Sequence, residues 1–303
     1  MASPEAPQDS QTLLLPDGRT LGYAVYGSPP SPTTPTFFYF HGFPGSRFEG
    51  RIFLDSSLAP KITARCICPD RPGHGLSTLQ QPRRVLDYPA DILALADHLQ
   101  IDQFYVLGAS GGAPYALACA KEIPRSRLLG TAVVSGAYPG SRKGSLFALR
   151  ALLFAGYWAP TALMAKALDS MFGKAARDPD PKVMEDLFDK EMKGRPGPDL
   201  KCLENKELKA VVVKSMSGAF VGGGMGPAWD LRLVSDWGFG LEEVDGRDVT
   251  LWHGKADVNC PVSMAEEAGK LIKGCELKVF EEETHMSLPF NHVEEILRGL
   301  LRL

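Results

Sequence analysis

The sequence lacks the features that mark several large classes of protein. Its net charge is only −3, so the overall charge favours neither nucleic acid nor an anionic membrane as a partner. Its six cysteines show no metal-ligand spacing, and Met1–Gln11 is polar rather than the apolar run of a secretory signal. We therefore expect reduced, structural thiols and a cytoplasmic location. No cofactor motif is visible, so neither a cofactor nor a metal ion is expected.

No apolar run is long enough to cross a bilayer without interruption. The most apolar stretch, Leu146–Phe172, contains Arg150, Pro160, Lys166 and Asp169, whereas a spanning helix needs about 20 nearly uncharged residues. We predict two amphipathic helices that break near Pro160, and no integral membrane span. The hydrophobic face of this stretch leaves a peripheral membrane contact open.

Apolar runs and helical periodicities alternate along most of the chain. With 303 residues, 44% of them hydrophobic and 23% charged, the composition is that of a soluble globular protein with a large core. After a predicted β-hairpin over residues 12–26, strands are predicted at Thr36–Phe40, Ala64–Cys68, Phe104–Leu107, Leu128–Ser135, Val249–Trp252 and Leu277–Glu281. Helices are predicted over residues 47–59, 87–99, 262–272 and 292–303. This order predicts an α/β fold with a mostly parallel central sheet, flanked by helices, and with its chemistry beyond the carboxyl ends of the strands.

The alternation stops between residues 141 and 236. This region shows helical patterns, a polar stretch and a glycine-rich segment predicted as a loop, Gly218–Gly226, but no convincing strand. We interpret it as a helical cap inserted between two strands of the sheet. The predicted division is therefore a core over 1–140 and 237–303, with a cap over 141–236.

One short stretch combines a strand, a tight turn and a helix. The apolar run Phe104–Leu107 is followed directly by Gly108-Ala109-Ser110-Gly111-Gly112 and then by the small, helix-favouring run Ala113–Ala120. A sharp strand-to-helix turn strains its central residue and tolerates only small neighbours. This context predicts a nucleophile elbow, with Ser110 raised above the sheet edge and the Gly111 N–H at a helix N-terminus.

Five motifs, each at a predicted strand end, resemble those of the α/β-hydrolase fold in their order. They are HGFPGS at 41–46, DRPGHGLS at 70–77, GASGG at 108–112, WHGKAD at 252–257 and ETHMS at 283–287. The resemblance covers nearly the whole chain and implies an esterase-like member with a serine nucleophile and a cap. The carboxylate that epoxide hydrolases and haloalkane dehalogenases need at the elbow is replaced here by serine.

The resemblance also implies a catalytic triad. The family's order of serine, acid and histidine makes the base a late histidine, and His285 lies in the loop after the last predicted strand. Asp257 follows the strand Val249–Trp252 at the position where most of the family carries its acid. Asp230 and Glu283 are the alternatives for the acid.

An oxyanion hole follows from the same resemblance. The family places one donor at the residue after His-Gly, here the Phe43 N–H, and the other at Gly111. Pro44 restricts Phe43 to an extended backbone, which would help to aim its amide. His41 and Arg47 are expected to support this loop rather than to catalyse.

These residues predict a serine hydrolase that cleaves an ester or related acyl bond of a small, largely hydrophobic substrate. Apolar residues at the cap and beside the histidine are predicted to bind that substrate: Tyr157, Trp158, Phe220, Met225 and Met286. Two alternatives keep the fold. One is a cofactor-free lyase, cyclase or C–C bond-cleaving enzyme that uses the triad as acid–base groups, and the other is a non-catalytic ligand-binding protein. The oligomeric state is not predicted.

Overall fold

A single eight-stranded sheet runs through the structure, a computed structural model that describes residues 8–55, 57–58, 62–140 and 143–303. The strands are β1 (Gln8–Leu14), β2 (Thr20–Gly27), β3 (Thr36–Phe40), β4 (Arg65–Pro69), β5 (Phe104–Ala109), β6 (Leu128–Val134), β7 (Val249–Gly254) and β8 (Glu276–Phe280). Their order across the sheet is β1-β2-β4-β3-β5-β6-β7-β8. The β1–β2 and β2–β4 pairs are antiparallel and the other pairs are parallel. The prediction of a mostly parallel sheet in an α/β-hydrolase fold is confirmed.

Helices follow the strands at the predicted places, with modest differences in length. Among the described residues, the α-helices are α1 (Arg51–Leu54), α2 (Tyr88–His98), α3 (Ala113–Glu122), α4 (Phe147–Trp158), α5 (Thr161–Leu168), α6 (Lys174–Ala176), α7 (Pro181–Met192), α8 (Gly197–Cys202), α9 (Lys206–Phe220), α10 (Met225–Ser235), α11 (Val262–Leu271), α12 (Ser287–Asn291) and α13 (Val293–Leu301). The helix predicted over 47–59 is shorter: a 3₁₀ turn over Arg47–Gly50 leads into α1, and residues 56 and 59 lie outside the described part. The predicted break near Pro160 separates α4 from α5.

The central strands are buried because helices cover both faces of the sheet. All five residues of β3 are buried. Phe38 and Phe40 point into a core shared with α2, α3 and α11, whereas Phe37 and Tyr39 point into a second core with α1 and α13. Successive residues of a strand face opposite sides of its sheet, so a strand buried on both sides needs the continuous apolar run that β3 has.

Helices α4 to α10 lie between β6 and β7 in the chain, in the region predicted as an insertion. No strand is assigned to this region within its described residues, which begin at 143 because residues 141 and 142 lie outside them. The helices share an apolar cluster of their own, which includes Leu168, Phe188 and Phe220. Phe43 and Met286 from the sheet-edge loops pack against this cluster.

The glycine-rich segment predicted as a loop is mostly helical, so that prediction is wrong at both ends. Gly218 belongs to α9 and Gly226 to α10. A Cβ added at Gly218 would lie 2.3 Å from Ser46 Oγ, and one at Gly226 would lie 2.2 Å from the Gly73 carbonyl oxygen. These glycines therefore allow close approach of two helices to the loops of the sheet, and the tertiary packing outweighs the low helix propensity of glycine.

A buried carboxylate joins α10 to the loops around the sheet edge. Asp230 accepts hydrogen bonds from Arg71 Nε at 2.6 Å, from Tyr115 Oη at 2.9 Å and from Arg83 Nη2. All four side chains are buried. Burial raises the pKa of Asp230, but the two guanidinium groups, with His74 and His41, outweigh it and hold the pKa well below its usual range. Asp230 is thus an ion-pair partner of the loop that follows β4.

Replacing Asp230 with Asn should destabilise the fold strongly, because two guanidinium groups would remain buried without a counter-charge. The expected loss is about 3–5 kcal/mol of unfolding free energy, measured by urea denaturation. Asp186→Asn is the matched control, since its ion pair with Lys182 is exposed and should contribute no more than about 0.5 kcal/mol. Equal losses of unfolding free energy in the two variants would contradict the stabilising role of the buried ion pairs of Asp230.

Candidate active site

Ser110 occupies a strained turn between β5 and α3. Its φ angle is 50°, in the left-handed region that a non-glycine residue rarely adopts. A Cβ at Gly112 would lie 2.2 Å from the Phe40 carbonyl oxygen, and one at Gly108 would lie 2.7 Å from the Gly112 carbonyl oxygen. Only glycine fits these flanking positions, so the chain reverses from strand to helix within three residues and leaves Ser110 at the sheet edge.

The three predicted triad residues lie in one chain of hydrogen bonds. Ser110 Oγ is 2.9 Å from His285 Nε2, and His285 Nδ1 is 2.7 Å from Asp257 Oδ2. The other oxygen of Asp257 accepts the backbone N–H groups of Asn259 and Cys260, each at 2.8 Å. An ionised carboxylate only accepts hydrogen bonds, so Nδ1 carries the imidazole proton and Nε2 is free to accept the Ser110 hydroxyl.

The electrostatics of this chain keep Asp257 ionised and make His285 more basic. Burial disfavours the charged form of His285, but the Asp257 carboxylate beside it more than compensates and raises the pKa of His285 above its ordinary value. Burial also raises the pKa of Asp257, whereas His285 lowers it, and the net shift is downward. Asp257 therefore stays ionised and would stabilise an imidazolium at His285.

The two predicted oxyanion donors adjoin each other beside Ser110. A Cβ added at Gly111 would lie 2.8 Å from Phe43 Cβ and 3.2 Å from the Phe43 nitrogen. Gly111 is therefore another position where only glycine allows the approach of the neighbouring loop. Phe43 follows the end of β3 and Gly111 follows the end of β5, and these two strands are neighbours in the sheet.

The loop that carries Phe43 is held by two side chains that sequence reasoning missed. Glu49 accepts hydrogen bonds from the Gly42 N–H at 3.0 Å and from Tyr39 Oη at 2.5 Å, and burial raises the pKa of Glu49. Arg71 donates to the carbonyl oxygens of His41 and Gly42. A glutamate in a predicted helix gives no sequence signal for such a role.

The two side chains predicted to support this loop, His41 and Arg47, lie in different places. His41 Nδ1 donates to the Gly42 carbonyl at 3.0 Å, inside the loop, and burial lowers the pKa of His41. Arg47 pairs instead with Asp70 at 2.8 Å and donates to the Asp9 carbonyl. Arg47 therefore links the loop after β4 to the first strand.

A third missed residue reaches the histidine loop from the inserted helices. Asp199 on α8 is buried, and its Oδ1 accepts the Met286 N–H at 2.9 Å and the Thr284 hydroxyl. These two residues flank His285, and the negative charge of Asp199 also contributes to the raised pKa of His285. In the sequence, Asp199 lies in a polar stretch with no motif around it.

A cavity of about 330 Å³ opens beside Ser110 and His285, between the sheet edge and the inserted helices. Its volume lies within the range of small-molecule sites. The wall is mainly apolar, with Phe43, Phe53, Leu149, Leu152, Leu153, Phe172, Phe188, Met192, Met216, Phe220, Met264 and Met286 among its residues. Besides Ser110 and His285, its polar side chains include Glu49, Ser135, Glu191, Arg195 and Asn259. The Ser135 hydroxyl is buried without a partner among the described residues.

The structure brings two of the five predicted substrate-binding residues to this cavity. Phe220 and Met286 line it, but Tyr157, Trp158 and Met225 do not. Met225 packs within the apolar cluster of the inserted helices. Tyr157 and Trp158 line a separate depression on the outside of α4, because this helix turns its leucines toward the cavity.

The other acids considered for the triad have different partners. Asp230 is engaged by arginines, as described above. Glu283 accepts hydrogen bonds from Ser287 and Asn291 and lies 3.2 Å from His292. In the described part of the chain, no cluster of three or more His, Cys, Asp or Glu side chains is arranged to hold a metal ion. No helix there has the length and apolarity needed to cross a membrane.

Comparison with models of protein families identifies the family of this chain. The model of the alpha/beta hydrolase family matches residues 37–298, which is most of the sequence. The protein therefore belongs to the alpha/beta hydrolase family, as the motifs indicated. No curated protein sequence matches it.

Solved structures share the fold at low sequence identity. An enol-lactonase from Burkholderia xenovorans LB400 superposes with a TM-score of 0.67 at 16% identity, over 96% of this chain and 98% of the other. An esterase from Rhodococcus sp. ECU1013 gives 0.65 at 17% identity, over 97% and 98%. A meta-cleavage product hydrolase from Pseudomonas fluorescens IP01 gives 0.61 at 17% identity, over 97% of each chain. These structures differ in what their names say they act on, so the likeness concerns the fold alone.

Removing the charge of Asp257 should lower the pKa of His285, because burial would remain while the counter-charge is lost. Asp257→Asn should therefore shift the midpoint of the His285 imidazole to lower pH in an NMR titration. Asp199→Asn should shift it in the same direction by less, since Asp199 acts without a direct hydrogen bond to the ring. Asp186→Asn serves as the control and should leave the midpoint unchanged. An unchanged or raised midpoint in Asp257→Asn would contradict this account.

Proposed function

We propose that this protein is a serine hydrolase that cleaves an ester bond of a small, largely hydrophobic substrate through an acyl-enzyme on Ser110. The observation that carries the proposal is the hydrogen-bonded chain from Ser110 through His285 to Asp257. A serine hydroxyl is a poor nucleophile at neutral pH and needs a base within hydrogen-bond reach. A residue that only bound ligand would need neither the base nor the carboxylate that orients it.

The proposed reaction follows from the positions of these groups. Ser110 Oγ attacks the acyl carbon while His285 Nε2 takes its proton, and Asp257 stabilises the imidazolium. The Phe43 and Gly111 amides donate to the oxygen that becomes negative in the tetrahedral intermediate. His285 then protonates the leaving alcohol, and a water molecule repeats the sequence on the acyl-enzyme. Glu49 and Arg71 act by holding the Gly42–Phe43 loop in place.

The cavity suits a substrate with two apolar parts. We assign one side to the lining residues Phe53 of α1 and Met216 of α9, because these two helices contact each other. We assign the other side to Leu152 of α4 and to Met264 of α11, which packs on β7. Ser110 follows β5, which lies between β3 and β6. The acyl and alcohol parts of an ester would therefore extend to opposite sides of the serine.

The helices over 141–236 would act as the cap of this site. They supply much of the apolar wall, and so they would exclude bulk water from the acyl-enzyme and set the size of the substrate. Asp199 gives the cap a direct contact with the histidine loop. A cytoplasmic location and the absence of a cofactor remain predictions of the sequence.

A serine-directed fluorophosphonate probe tests the nucleophile. The wild-type protein and Ser135→Ala should be labelled, whereas Ser110→Ala should not, and peptide mapping should place the label on Ser110. Ser135 is the matched control because it also lines the cavity and follows a neighbouring strand, but lies outside the Ser110–His285–Asp257 chain. Hydrolysis of p-nitrophenyl acetate should be lost with the label.

Absence of labelling, with turnover surviving Ser110→Ala, would exclude the acyl-enzyme. His285 would then act as a general base on the substrate itself, as expected for the C–C cleaving or lyase alternative. Absence of any turnover with an intact fold would favour the ligand-binding alternative instead.

The two sides of the cavity can be tested separately. Met216→Ala should enlarge the side assigned to α1 and α9, and Leu152→Ala should enlarge the side assigned to α4 and α11. One variant should extend the tolerated acyl chain in a series of p-nitrophenyl esters, and the other should extend the tolerated alcohol in a series of acetate esters. We expect a rise in kcat/KM for the longer members of one series only in each variant. Equal effects of both variants on both series would contradict the two-sided arrangement.

A further inference from the structure

Helix α4 is apolar on two opposite faces, and only one of them is explained by the active site. Leu149, Leu152 and Leu153 line the cavity. On the outer face, the side chains of Phe147, Phe154 and Trp158 are 82%, 68% and 69% exposed, respectively.

The three exposed aromatic residues form one stripe along the helix. Positions 147, 154 and 158 are seven and four residues apart, which places them on the same face. The rings of Phe154 and Trp158 lie 6.3 Å apart, and Tyr157 packs edge-on against Trp158 at 5.0 Å. Leu163, near the start of α5, is also exposed. A contiguous exposed patch of this kind marks an interaction surface, unlike apolar side chains scattered singly.

The helical segment that carries this stripe has charged side chains of one sign. Residues 143–168 contain Lys143, Arg150 and Lys166 and no Asp or Glu, although the whole chain carries a net charge of −3. Arg150 and Lys166 are exposed. The overall charge gave no indication of an anionic membrane as a partner, but the segment that carries the apolar stripe is cationic, and Arg150 lines the same depression as the three aromatic side chains.

We propose that the outer face of α4 and the start of α5 dock on the surface of an anionic lipid bilayer. Exposed aromatic rings on one helix face, flanked by cations, are the pattern of a helix that lies in the membrane interface. Phe147, Phe154 and Trp158 would enter the headgroup region, while Arg150 and Lys166 would contact anionic lipid. This docking is independent of the proposed reaction at Ser110.

The same charges argue against a second copy of this chain as the occupant. A symmetric dimer brings the same patch of both subunits together. Arg150 and Lys166 would then face the same cations of the other copy, with no Asp or Glu in residues 143–168 to separate them. An anionic lipid surface satisfies both the apolar stripe and its charge.

Trp158 provides a direct measurement of docking. It is exposed, whereas Trp237 and Trp252 are buried and Trp229 is partly buried. Vesicles of phosphatidylglycerol and phosphatidylcholine should shift the tryptophan emission to the blue, and brominated lipid should quench it. Vesicles of phosphatidylcholine alone should have much weaker effects, and Trp158→Phe should abolish the emission shift but leave vesicle binding, measured by sedimentation, unchanged.

Variants of the stripe and of its cations should weaken sedimentation with the anionic vesicles. We expect F147S and F154S each to reduce binding about tenfold, because each removes an aromatic ring that docking would bury in the lipid interface. Arg150→Gln and Lys166→Gln should each reduce it about fivefold and make it less sensitive to salt. Leu14→Ser is the control, because Leu14 is 72% exposed on β1, outside the stripe. This substitution should leave vesicle binding unchanged.

Two outcomes would overturn the proposal. One is a failure of anionic vesicles to bind the wild-type protein or to shift its emission. The other is a self-associated protein, detected by analytical ultracentrifugation, that F147S and F154S convert to monomers. Membrane docking and the proposed reaction can be tested separately. Ser110→Ala should bind vesicles normally, and F147S and F154S should hydrolyse a short, water-soluble ester at the wild-type rate.

Discussion

The arrangement of the site depends on the left-handed turn at Ser110. A φ of 50° for a serine persists only if the surrounding packing fixes it. Gly108 and Gly112 allow that packing, since a side chain at either position would collide with backbone, at Gly112 with that of β3. The same close contact between β3 and β5 brings Phe43 to Gly111. One steric constraint thus positions both the proposed nucleophile and the two amides proposed to stabilise the oxyanion.

Two buried carboxylates connect the inserted helices to the loops beside this turn. Asp230 pairs with Arg71, and Arg71 in turn donates to the carbonyl oxygens that precede Phe43. Asp199 accepts from the residues on either side of His285. Lifting the helices away would leave Arg71 without its counter-charge, which is costly in a buried site. The inserted helices are therefore part of the framework that holds the site.

Much of the fold and the hydrogen-bonded arrangement of the three proposed triad residues could be predicted, because their signals are local. A buried parallel strand needs a continuous apolar run, and a strand-to-helix turn needs small neighbours, so the sequence around Ser110 carries both signals. Glu49 and Asp199 could not be found, because their roles depend on contacts with distant loops. Gly218 and Gly226 were predicted as loop residues for a similar reason: the helix packing that requires glycine there is formed between segments far apart in the sequence.

The predictions for Tyr157 and Trp158 show a different limit. Periodicity assigns the faces of a helix only when polar and apolar residues segregate, and α4 is apolar nearly all round. A helix of that kind is normally buried on every side, yet one face of α4 is exposed to solvent beside cations. The apolar composition therefore reflects two separate surfaces, the cavity wall and the outer stripe. Because a single helix forms both, a lipid held against the stripe would lie one helix diameter from the cavity.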